Sequence, residues 1–138
     1  MFFKDNENNF DKIAALLIYA AKIDQNYTEK EKNIIKETII EIGAKKENIE
    51  KIIQNAIEIE NNSNQILDFT KEVKNMNDEN KIKIIKSLWK IIYSNQEADI
   101  YETNLMRRLA GLLYIDSKLM GDIKETIIKE NLNDLSSK

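Results

Sequence analysis

Asp24-x-Asn26-x-Thr28 sets three oxygen-bearing side chains at alternate positions, the spacing with which an EF-hand loop begins its calcium shell. Two later positions depart from that loop. Glu29 stands where its glycine turns the chain, and Ile35 where a bidentate glutamate closes the shell. Thr28-x-x-Glu31 and Asp99-x-x-Glu102 instead fit the capping box, in which a side-chain oxygen and a carboxylate reciprocally satisfy amide donors at a helix start. A carboxylate so placed can serve the cap and still face a loop cation. Arg107-Arg108 offers fork-shaped donors to a phosphate or an acidic partner, set against the plainer reading of a solvated face near Asp99 and Glu102. Lys81, Lys83, Lys86 and Lys90 make a basic stripe, but Asp78 and Glu79 precede it, and a net charge of −3 gives little pull toward nucleic acid. Trp89 and Tyr93, four apart, read as core or rim packing, and Phe2, Phe3 and Phe10 as a segment covering a bundle.

What the chain lacks narrows the chemistry further. There is no cysteine and no histidine, so Cys–His catalysis, zinc sites and disulfides are excluded. Catalysis would rest on carboxylates, lysine or tyrosine, with no glycine-rich phosphate loop to help, and the expectation is a protein that is not an enzyme. The cofactor expectation is none, or else a divalent hard cation (calcium, magnesium or manganese) held by oxygens. At 138 residues, 42% hydrophobic and 33% charged, the chain has the size of one domain and enough apolar content for a core. Its longest apolar run, Ile13 to Ala21, is too short to span a bilayer, and its first residues lack a secretion pattern, so the expected location is cytoplasmic.

Zero prolines and three glycines leave few sharp turns, and 24 isoleucines fall at helical rather than alternating spacing. The spacing predicts seven helices in an all-α single domain: Asn9 to Ile23, Glu29 to Ile42, Lys46 to Glu60, Asn64 to Asn75, Glu79 to Ser94, Ile100 to Leu113 and Ser117 to Glu130. Residues 1–8 form an N-terminal segment, 9–130 the helical domain and 131–138 a polar tail expected to fray. The first and fifth helices are apolar almost all round, which places them centrally. Gly43 sits where a left-handed C-cap is expected.

Sliding the chain by 71 residues puts Leu17 on Leu88, Ala20 on Ile91, Thr28 on Asp99, Glu31 on Glu102, Ile34 on Leu105 and Ile42 on Leu113. Two such units would pack about an approximate two-fold axis and bring the bends 24–28 and 95–99 together.

The same residues carry a family likeness. A-x-x-D-x-x-x-T/D-x-x-E after an apolar helix, then Leu88-Trp89 with Tyr93, Arg107-Arg108-Leu109-Ala110 and Leu112-Leu113, resembles the tellurite-resistance TerB family over about residues 10 to 130. The likeness is to its stand-alone branch. It implies an all-helical bundle with two acidic loops proposed to bind metal, and a similar domain occurs in a membrane-anchored DnaJ-like co-chaperone. Carried onto this chain, the loop ligands are Asp24, Thr28 and Glu31, then Asn95, Glu97, Asp99 and Glu102; Gln25 and Gln96 replace the family glycines and Asn95 an aspartate. The functional expectation is non-catalytic interaction or stress response: docking of a protein partner, membrane-associated or chaperone-type, on the acidic face around the two loops, with Arg107 and Arg108 as further partner contacts. No nucleic acid or membrane insertion is expected. The alternative is a hard-cation binder using the loop carboxylates.

Overall fold

Phe2–Ala21 contains neither proline nor glycine and forms one unbroken helix, α1, in a computed structural model that describes residues 2–23, 28–62, 67–95 and 100–136. Seven α-helices and no strand occur among the described residues. After α1 come α2 (Glu29–Glu41), a 3-10 turn (Lys46–Asn48) running into α3 (Ile49–Asn62), α4 (Leu67–Lys74), α5 (Asp78–Ile92), a second 3-10 turn (Tyr93–Asn95), α6 (Ile100–Leu112) and α7 (Ser117–Ser136). The all-α reading holds. Most ends differ from expectation by one to three residues, and two by six or more: α1 begins at Phe2, within the predicted N-terminal segment, and α7 continues to Ser136, within the predicted tail. Apolar spacing marks the packed part of a helix, whereas its hydrogen bonding propagates into polar residues until something breaks it.

α1 and α5 pack on each other at the centre, as their near-continuous apolar surfaces require. Ile13 to Ile18, Ala20 and Ala21 are buried on α1, and Ile84, Ile85, Leu88, Trp89, Ile91 and Ile92 on α5. α1 is enclosed by α2, α3 and α4, and α5 by α2, α4 and α7. Where α2 meets α5, Thr38 Oγ1 lies 2.9 Å from the Ile34 carbonyl and 2.7 Å from Ser87 Oγ. One hydroxyl has one proton, so if Thr38 donates to its own helix, Ser87 donates to Thr38, and the buried pair is satisfied.

The duplication extends further than the sequence comparison indicated. α2 ends in a Schellman motif: Gly43 at φ +127° donates to the Ile40 carbonyl (3.0 Å), and Ala44 to Ile39 (3.1 Å). Seventy-one residues on, Tyr114 at φ +57° donates to Gly111 (3.4 Å), and Ile115 to Ala110 (2.9 Å). The third helices correspond too, since α3 with its leading turn and α7 begin at matched positions, Lys46 and Ser117. Even the residue closing each cap is equivalent. The Phe10 ring tip is 3.6 Å from where a Gly43 Cβ would lie, and Lys81, its counterpart, donates to the Leu113 carbonyl at 3.2 Å. Thus α1–α2–α3 and α5–α6–α7 are two copies of one unit, and α4 is the element joining them.

Glu50 on α3 receives a hydrogen bond from Lys36 on α2, and that bond, then the Lys36 charge, holds its carboxyl below the usual range. Being lowered, this pKa contributes stability above the ordinary carboxylate range and loses it as acid protonates the group.

The cap geometry yields a contrast. Replacing Gly43 by alanine forces a side chain into the left-handed region and should cost about 1–2 kcal/mol in denaturant unfolding. Tyr114→Gly relieves that strain while losing the contact of Lys74, whose ammonium is 4.6 Å from the ring centroid, so stability should stay level or rise.

Candidate functional site

The described residues among those singled out for cation binding lie beyond the end of α5 and at the starts of α2 and α6. Asp24, Glu97 and Asp99 lie outside the described residues. Asn95 closes the second 3-10 turn and Glu102 stands in the first turn of α6; of both only the backbone is described. Glu31 is described fully. It is 2% exposed and completes the capping box: Thr28 N donates to its Oε1 at 2.8 Å, Thr28 Oγ1 lies 3.0 Å from the same oxygen, and the Glu31 amide donates back to Thr28 Oγ1 at 3.2 Å. Its carboxylate therefore faces its own helix start, where the negative charge also complements the helix dipole. Among the described residues no group of three or more Asp, Glu, His or Cys could hold a metal ion.

The flanks of the two bends do approach each other. Lys30, in the first turn of α2, reaches the Ser94 carbonyl beyond the end of α5 at 3.5 Å. Ser94 in turn donates to Ile91 at 2.7 Å, which closes the end of α5.

Arg107 and Arg108 are both exposed on α6, but they do not act as one patch. Consecutive residues on a helix point in different directions, and here each arginine borders its own groove. Arg108 lines an open groove of about 440 Å³ with Tyr19, Ile23, Asn104 and Leu105, between the end of α1 and α6. Arg107 lines a smaller one of about 230 Å³ between α5, α6 and α7, where Trp89, Met106, Ala110 and Met120 make an apolar floor and Lys124 stands over the indole ring at 5.5 Å from its centroid. Trp89 is 4% exposed and also packs against Tyr93, with ring centroids 6.0 Å apart. Four-residue spacing marks Trp89 and Tyr93 as packing residues and gives no sign of Lys124. Only the structural match of the third helices sets Lys124 on Ile53, a buried core position of α3.

The cap assignment is directly testable. Thr28→Ala should cost about 1 kcal/mol of unfolding free energy, and Thr28→Asp, which restores an acceptor, should recover most of it in the same denaturant titration.

No helix among the described residues is long and apolar enough to cross a membrane. No curated protein and no solved structure matches the chain significantly. A family model, tellurite resistance protein TerB, does match, over residues 10–125. That span starts at the Phe10 contact with the first cap, takes in both copies of the repeated unit and ends within α7. The chain belongs to the TerB family.

Proposed function

We propose that this TerB-family chain is a non-catalytic binding domain that docks a protein partner along α6. One observation carries the reading: Arg107 and Arg108 stand on adjoining sides of one helix, each at the rim of a separate groove with apolar lining. A partner segment with carboxylates beside apolar side chains satisfies both, the fork-shaped donors supplying specificity and the grooves supplying apolar burial. The acidic loop face expected from the sequence is a weaker candidate, because Glu31 turns inward to its cap. A membrane-associated or chaperone-type partner, and a role in stress response, accord with the family likeness. Hard-cation binding by the loop carboxylates remains the alternative, with no described geometry favouring it.

Affinity capture from the native host separates the readings when wild type is compared with the R107E/R108E double variant. A protein held by the wild type and lost from the variant, at unchanged melting temperature, is the expected result; identical capture removes α6 from the interface. Heat on titration with millimolar calcium, magnesium or manganese would put the cation reading ahead.

A further inference from the structure

The repeat supplies an internal comparison for the groove beside Arg107. In the first unit Ile18, Ile35, Ile39, Ile49 and Ile53 are all buried and close a dry core among α1, α2 and α3. Their counterparts at 71 residues' distance are Trp89, Met106, Ala110, Met120 and Lys124, and all five line the groove. Two replacements open it. Ala110 leaves a single methyl where Ile39 puts a branched side chain, and Lys124 brings an ammonium where Ile53 has only hydrocarbon. A hollowed core costs stability unless something occupies it.

The polar groups at this groove share one character. The indole Nε1–H of Trp89 is buried and meets no hydrogen-bond acceptor among the described residues, although a buried indole normally finds one. Lys124 and Arg107 are donors carrying positive charge, Thr103 and Ser117 are hydroxyls, and among the described residues no carboxylate lines the groove. A negatively charged acceptor complements the whole set. The methionines and Ala110 require that this acceptor carry an apolar body, which inorganic phosphate lacks.

We infer that the groove between α5, α6 and α7 binds a small amphipathic organic acid. Its carboxylate is taken by Lys124, Arg107 and the Trp89 indole N–H, and its alkyl body lies on Met106, Ala110 and Met120. Lys124, a flexible side chain above the ring, is the cover that moves to admit the carboxylate to the indole edge. The inference goes beyond docking on α6 and needs no partner protein, so either can fail alone.

Trp89 is the sole tryptophan, so its indole N–H gives one resonance in isotope-labelled protein. Titration with hexanoate should move that resonance downfield and saturate, as a new charge-assisted hydrogen bond requires, while hexanol, hexylamine and inorganic phosphate leave it in place. R107M and K124M, checked for helical content, should each weaken hexanoate roughly tenfold. A resonance unmoved by hexanoate, moved equally by hexanol, or moved by phosphate alone overturns the proposal, as does wild-type affinity in both variants. Should a variant misfold, the comparison of hexanoate with hexanol on the wild-type protein still decides.

Discussion

Between Ile13 and Ala21, and again between Ile84 and Ile92, side chains on nearly every side of the helix are apolar and buried, so neither α1 nor α5 can exist alone in water. Each needs neighbours around most of its circumference, and one helix–turn–helix unit cannot provide them. Two units can, because each central helix then covers part of the other while α2 lies against both. α4, the joining element, adds Phe69 and Val73 to the same core, with Phe69 packed on Tyr19 at 6.3 Å between ring centroids. The remaining architecture follows from that enclosure.

Where the two units agree, they agree in backbone detail. Both second helices end with a residue in the left-handed region and the same pair of capping hydrogen bonds, although one residue is glycine and the other a tyrosine that is 74% exposed. The cap is imposed by the need to turn sharply into a third helix that packs back on the first. Glycine meets that need without strain. Tyr114 meets it with strain, and Lys74 over its ring returns part of the cost.

Where the units disagree, surface chemistry appears. Isoleucines that fill the first unit are answered in the second by Ala110 and Lys124, and a dry core becomes a cation-rimmed groove. The relation between units is also unequal: α2 is joined to α5 through the Thr38–Ser87 pair and Lys30, whereas an open groove separates the end of α1 from α6. Both departures leave a groove bordering α6, which places the exposed arginines beside recesses instead of on a closed surface.

Helix number, the central pair, the capping box at Thr28 and Glu31 and the left-handed position at Gly43 were all legible in the order of residues, because each rests on local spacing or on a side chain a few positions away. The repeat was legible over one helix–loop–helix; its third helix was not, since Ile53 and Lys124 share a place without sharing chemistry. Helix ends at Phe2 and Ser136 escaped for a related reason, there being no apolar period to mark them. The role of Glu31 and the separation of Arg107 from Arg108 needed coordinates. Whether a carboxylate turns inward, and whether neighbouring arginines share a surface, depends on what other helices bring alongside, and that is a property of packing rather than of sequence spacing.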